Sequence, residues 1–405
     1  MNRDQDNRRN LIILFFTLVV VMLGFGMMIP ILPYYINSFG ASGSSLGLLM
    51  ATYALMQLFF APVWGSLSDR LGRRPILLLG VLGNALTQLL FGLATSLWML
   101  FVARALAGIL SSATLPVAMA FIGDSTSEEK RGGGMGVVGA AMGVGMVLGP
   151  GLAGWLATDS LALPFFLASG LSVIALLLIA AFLPESLPAE ARVGVDEKIG
   201  GPSFRAMWLA LVGPTGFLFL LALLLSFGLT NFESIFGLYA LTRYEYGPDV
   251  VGSILTVIGL VSALVQGLLT GVLTRKLGEV VLIWAALTIS SIGFLLMILA
   301  ETYLMVVATV CFFVVGNALL RPSVASLISK RASEGQGVAM GLNNSFMSLG
   351  RILGPTWAGF VFDLNIHFPY ISGAFIMAVA LIAGLFRLRP ERVSLQVSTP
   401  VADGD

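Results

Sequence analysis

Twelve apolar runs, each 20 residues or longer, take up nearly the whole chain, so lipid is the solvent that can cover most of it. They fall near 11–36, 45–67, 75–95, 98–122, 133–157, 161–183, 214–241, 250–273, 280–300, 302–328, 337–362 and 369–388, here called helices 1 to 12. Helix is the form that pairs every backbone amide within such a run. The first run holds 26 residues and spans roughly 39 Å at about 1.5 Å per residue. That is too long for the apolar core of a cleaved leader, so it reads as a retained span. The stretch Ser203 to Val212 reads as an interfacial segment ahead of helix 7. The expected class is all-α, with twelve membrane helices.

Basic residues orient the spans. With the N-terminus inside, eighteen of the 22 Lys and Arg fall on cytoplasmic segments and Arg243 alone on an outer loop; Arg104, Arg321 and Arg351 lie within spans. Both termini are therefore expected in the cytoplasm of a cell that holds the chain in its plasma or inner membrane. The polar stretch 184–202 separates an N-terminal bundle (1–183) from a C-terminal one (203–390), with a cytoplasmic tail at 391–405.

Composition closes several functional classes. Among 405 residues only 11% are charged, and the formal net charge is +1. No basic stripe of a nucleic-acid binder accompanies such a balance. One cysteine, Cys311, precludes an internal disulfide, and one histidine, His367, offers no metal cluster. No phosphate-binding GxxxxGK[ST] loop is present, so an ATP-driven pump within this chain is excluded. Neither enzymatic activity nor a bound cofactor is expected.

The two halves repeat each other. Gly65-Ser-Leu-Ser-Asp69-Arg-Leu-Gly72-Arg-Arg-Pro75 joins helices 2 and 3, and Gly271-Val-Leu-Thr-Arg-Lys-Leu-Gly278 joins helices 8 and 9. Gly145, Gly149, Pro150 and Gly154 of helix 5 return as Gly350, Gly354, Pro355 and Gly359 of helix 11. Both stretches agree on an offset of 205 or 206, close to half the chain.

On these motifs the chain resembles the major facilitator superfamily, and within it the twelve-helix drug:proton antiporters that include the tetracycline exporters. The segment from Gly65 to Pro75 is similar to that superfamily's loop between helices 2 and 3. Gly145 to Gly154 resembles its antiporter signature, Arg104-Ala-Leu-Ala-Gly108 its buried-arginine motif, and Pro30-Ile-Leu-Pro33 the end of its first helix. Val21 stands where tetracycline exporters commonly carry an aspartate. The resemblance implies two pseudo-symmetric six-helix bundles, alternating access, a proton gradient as energy source, and export of hydrophobic or amphipathic drugs by a monomer in lipid. A proton symporter or facilitator for a sugar or organic acid is the alternative. It asks for more polar groups than Asn231, Glu233, Asn317 and Arg321 of helices 7 and 10 supply. A membrane receptor or scaffold would need a larger soluble part than about 20 residues.

Particular residues then acquire expected roles. The resemblance implies that Gly65, Asp69, Arg70, Gly72, Arg73 and Arg74 form a latch in which Asp69 holds the start of helix 11 in one conformation. A plain topology signal with a helix-end cap is the alternative. Gly145 and Gly149 share a helix face, Gly267 and Gly271 make a similar one on helix 8, and Pro150 removes a backbone hydrogen bond. The resemblance implies that with Gly154 they form a hinge or seal between the halves; plain helix association is the alternative. Glu233 is the one carboxylate well inside a span, a placement that favours a functional role. With Arg104 at matching depth it is the expected proton-coupling pair. The family arrangement, in which helices 1, 4, 7 and 10 line the path, nominates Met27, Met28, Tyr34, Ser112, Asn231, Phe232, Phe236, Tyr239, Asn317 and Arg321 for the substrate cavity. Tyr53, Gln57, Met146, Asn344 and Met347 join them from helices 2, 5 and 11.

Overall fold

The computed structural model describes residues 3–126, 128–192, 203–332 and 335–389, with no strand among them. The side chains of residues 3–7 and 128–131, most of the inter-bundle segment and the tail expected at 391–405 lie outside the described residues. Helix 1 is Arg3–Ser38, helix 2 Gly43–Leu71, helix 3 Arg73–Gly92 and helix 4 Leu97–Ser125. Helix 5 is Glu128–Ala157 and helix 6 Leu163–Phe182. After the short helix Phe204–Val212, the second half runs as helix 7, Gly216–Tyr244, helix 8, Pro248–Leu277, and helix 9, Glu279–Leu299. Helix 10 is Tyr303–Arg331, helix 11 Gln336–Leu364 and helix 12 Phe368–Arg387.

Eleven of these twelve are long and apolar enough to cross a membrane; helix 11 is the exception. Asn343, Asn344, Ser345, Ser348 and Arg351 lower its hydropathy. Such a helix is tolerated at membrane depth where it lies against protein or a water-filled cleft. Helix 11 packs against helix 7 of its own half and helix 2 of the other. The segment before helix 7 forms a separate helix, capped by Ser203 and ended at Gly213, with Phe204, Trp208, Leu209 and Val212 exposed. Two local departures were not foreseen: a 3-10 turn at Ser111–Ala113 in helix 4 and a π turn at Val265–Leu269 in helix 8.

The repeat extends to packing. Helix 1 lies on helix 5 as helix 7 lies on helix 11, and helices 3 and 6 pair as 9 and 12 do. Gly72 and Gly278 both turn the chain at positive φ, +104° and +78°, where a side chain is strained. Across the two halves the close approaches also match. A Cβ on Gly47 would lie 2.2 Å from the Pro355 carbonyl oxygen, and one on Gly252 2.4 Å from that of Pro150. On Gly154 it would lie 2.4 Å from the Pro248 oxygen, and on Gly359 2.3 Å from that of Gly43. Four glycines thus let helix 2 meet helix 11, and helix 5 meet helix 8, at backbone contact.

Candidate functional site: a cleft closed at one end

Each of those interfaces is tight at one end and open at the other. On helix 5, Gly154, Gly151 and Val147 meet helix 8 at Gly252, Thr256 and Gly259. The same face continues through Gly143, Gly139 and Gly136, around each of which a Cβ would find nothing within 4 Å. Gly267 and Gly271 of helix 8, Gly65 of helix 2 and Gly337 and Gly341 of helix 11 are equally open. The halves therefore touch on the side away from the termini and separate on the side of the termini.

The closed end is also pinned by polar contacts. Asp363, at the end of helix 11, accepts from the amides of Gly43 (2.7 Å) and Ser44 (2.9 Å) and so caps helix 2. The Tyr34 hydroxyl donates to the Tyr246 carbonyl across the halves at 2.7 Å. Tyr34 belongs to this closure rather than to a cavity wall.

At the apex of the cleft lie the charged groups of the spans. Glu233 of helix 7 is within electrostatic reach of Arg351 first and Arg321 second. Among the described residues neither arginine closes an ion pair with it within 4 Å. Arg351 reaches across to helix 2, where its Nη1 stands 3.5 Å from Gln57 Oε1. Arg321, also within a span, is exposed, and Glu233 is its electrostatic neighbour. Tyr53 interacts with both Arg351 and Arg104.

This corrects the expected pair of Glu233 and Arg104. Arg104 is 2% exposed, 5.4 Å from the Tyr53 ring centre, and contacts Met50 Sδ. Its electrostatic neighbour is Tyr53, and its Nε has no partner. Similar depth does not bring the two residues together, because helix 4 presents Arg104 to helix 2. Sequence reasoning passed over Arg351: it had been noted within a span, beside the repeated Gly350 and Gly354, without a role. A charge next to the glycine-proline repeat was the signal available.

The nominated cavity residues separate into two groups. Tyr53, Gln57 and Met146 are part-exposed and Asn344 exposed, on elements that border the cleft. Met27, Met28, Phe232, Phe236, Tyr239 and Met347 are buried in the core instead. Phe232 packs on Phe236 and Phe313, and Tyr239 on Tyr244, His367 and Tyr370 near the closed end. Ser112 bonds its own helix at Ile109, and Asn231 donates to the Pro369 carbonyl at 3.0 Å, tying helix 7 to helix 12. Asn317 is 5% exposed. Helical periodicity alone does not say which face of helices 1, 4 and 7 turns inward.

The expected hinge also divides. Gly145 and Gly149 meet helix 1 at Met22, Leu23 and Gly26, within their own half; Gly154 is the glycine that meets helix 8. Gly350 and Gly354 meet helix 7 in the corresponding way. Helix 5 continues through Pro150 without interruption.

At the open end Asp69 pairs with Arg73 at 2.5 Å, and Arg73 also binds Asp124 at 2.9 Å and the Ser68 hydroxyl. Glu185 accepts from the amides of Arg73 and Arg74 and caps helix 3, while Arg74 donates to the Ala180 carbonyl. Arg70 also makes an interaction here. Asp69 is thus held by its own turn in this conformation. At the equivalent turn of the second half Glu279 binds Lys330 and Ser326.

Comparison with known proteins agrees with this architecture. The sequence profile of the Major Facilitator Superfamily matches residues 14–355 and, overlapping, 218–402. Multidrug resistance protein 2 of Bacillus subtilis is 33% identical, over 91% of this chain and 93% of its own length. The quinolone resistance protein NorA of Staphylococcus aureus is 29% identical, over 89% and 92%. Among solved structures, the nucleoside transporter NupG aligns over 94% of this chain and all of its own, with a TM-score of 0.81 at 14% identity. The human organic anion transporter MFSD10 aligns over 93% and 99%, with a TM-score of 0.67 at 25% identity. The chain is a multi-pass membrane protein and belongs to the Major Facilitator Superfamily.

Proposed function

We propose that this protein exports amphipathic compounds by alternating access, in exchange for protons, with its termini in the cytoplasm. The observation that carries the reading is a cleft open on the side of the termini, closed on the other, with Glu233, Arg321 and Arg351 at its apex. The relatives named for multidrug and quinolone resistance support the choice of substrate, and the excess of basic residues on the side of the termini supports the orientation.

In the conformation described, a compound enters the cleft from the cytoplasm or the inner leaflet and reaches the apex. Glu233 exchanges a proton there. A carboxylate at membrane depth is costly when charged and unpaired, so its charge state weights the two conformations differently. Closing the open end brings together the glycine faces of helices 5 and 8 and of helices 2 and 11. Asp69 then exchanges Arg73 for the start of helix 11, and the Asp363 cap and glycine contacts at the far end separate.

Reconstitution in proteoliposomes with an imposed pH gradient tests this reading. Glu233→Gln retains shape and hydrogen bonding but releases no proton. It is expected to lower gradient-driven transport at least about tenfold while the halves still assemble. Undiminished gradient-driven transport in this variant would remove Glu233 from the coupling step.

A further inference from the structure

A cavity of about 520 Å³ lies at the end of the second bundle that faces the termini, and none of the residues lining it belongs to the apex. Its wall includes Val212, Gly213 and Pro214, where the short helix ends, and Phe217 at the start of helix 7. Arg331, in the last turn of helix 10, and Arg387, in the last turn of helix 12, complete it. Two guanidiniums from different helices thus line one hollow, with no Asp or Glu among the described residues of its wall. Arg387 is exposed, and Arg331 also has an interaction within the protein. Topology asks for basic residues on this side of the membrane, but not for two that share a cavity without an acid. Neighbouring Lys330 shows the ordinary arrangement, since it binds Glu279 at 2.5 Å. The volume falls within the range of small-molecule sites, roughly 300–1,000 Å³.

The short helix beside the cavity exposes Phe204, Trp208 and Val212, at i, i+4 and i+8 on one face, while Met207 is buried. Nine residues reach about 14 Å, too short to span a bilayer, so this apolar stripe suits the membrane interface. Trp208 fits the level of the head groups there. Val212 belongs both to the stripe and to the cavity wall, so the two surfaces are continuous.

We infer that this cavity holds the head group of an anionic phospholipid from the leaflet on the side of the termini. Arg331 and Arg387 take the phosphate oxygens, which the planar fork of a guanidinium matches two at a time. The acyl chains run along Trp208 and Val212. A zwitterionic lipid brings the same phosphate, but its cationic group meets two further cations and no carboxylate among the described residues of the wall. The site therefore favours lipids of net negative charge, as basic pockets between helices at this level of a membrane do. A bound lipid ties the short helix to the ends of helices 10 and 12. At the far end of the stripe Phe204 stands 6.4 Å, ring centre to ring centre, from Phe59 of helix 2. The site does not depend on what the cleft carries.

The test titrates the full chain in detergent micelles with dioleoyl phosphatidylglycerol or dioleoyl phosphatidylcholine and reads bound lipid by native mass spectrometry. The first phosphatidylglycerol is expected to bind about tenfold more tightly than the first phosphatidylcholine. Arg331→Gln and Arg387→Gln are each expected to weaken phosphatidylglycerol severalfold, and together to bring it level with phosphatidylcholine. Arg387→Lys keeps the charge without the fork and is expected to retain part of the preference. Arg275→Gln makes the same change of charge on helix 8, outside the cavity wall, and is expected to leave the preference intact. Equal binding of the two lipids by the parent chain, or an equal loss in Arg275→Gln, overturns the proposal. Should Arg331→Gln fail to assemble, the exposed Arg387 decides by itself, and an unchanged preference in Arg387→Gln overturns the site. Glycerol 3-phosphate carries the head without the chains and, at about tenfold excess, is expected to leave the lipid bound. Displacement at that excess assigns the cavity to a soluble phosphate and overturns the lipid.

Discussion

His367 lies outside the spans, between helices 11 and 12, where its Nδ1 is 3.3 Å from the Tyr239 hydroxyl. Burial, and then the neighbouring Arg243 guanidinium, hold its imidazole below the ordinary histidine value. A base with a lowered folded-state value binds fewer protons folded than unfolded. The contribution is therefore unimpaired above the unfolded value, about 6.5, and stability falls as pH drops below it toward the folded one. Thermal unfolding in detergent is expected to soften as pH falls below about 6.5. His367→Gln is expected to reduce that slope; an unchanged slope assigns it to other groups. Asp124 and Asp363, the carboxylates at helix ends, have structural partners in Arg73 and in the start of helix 2.

At the scale of elements, the closed end depends on helix 11 against helix 2 and helix 5 against helix 8. Asp363→Asn removes the charge from two backbone hydrogen bonds and weakens the cap on helix 2 by about 1 kcal/mol. Its counterpart by the repeat is Thr158, and helix 8 starts after Gly247 with no side-chain cap. The variant is expected to shift the population toward the far-side-open state severalfold, read by spin-label distances across helices 2 and 11. Gly252→Val is expected to act in the same direction, because its Cβ falls 2.4 Å from the Pro150 carbonyl. A population unmoved by either substitution would mean that these contacts do not set the balance. Asp69→Asn acts at the opposite end. Turnover is expected to drop with compound affinity nearly unchanged, since Asp69 touches no apex residue. Collapse of affinity with constant state populations would remove the latch.

For the whole molecule, the matched glycine contacts tie two interfaces to one motion. In a Cys311→Ser background, label pairs at 139 and 267 and at 65 and 341 are both expected to be far apart here and to shorten together on closure. Shortening of one pair alone would contradict a pseudo-twofold mechanism. The sequence by itself determined the twelve long helices, eleven of them apolar enough to span a membrane, and the repeat. Apolar run length is bounded by bilayer thickness, and glycine at a shared offset reports the same close approach twice. It also isolated Glu233 as the carboxylate deep within a span. What it lacked was facing. A helix carries side chains all round, and a 3.6-residue period in a uniformly apolar span does not distinguish core, lipid and cleft. Only the packing of helix on helix decided that Arg104 turns to Tyr53, that Gly145 and Gly149 serve helix 1 while Gly154 meets helix 8, and that Arg351 joins Glu233 at the apex. These are contacts between residues far apart in the chain, set by the surfaces of several helices at once.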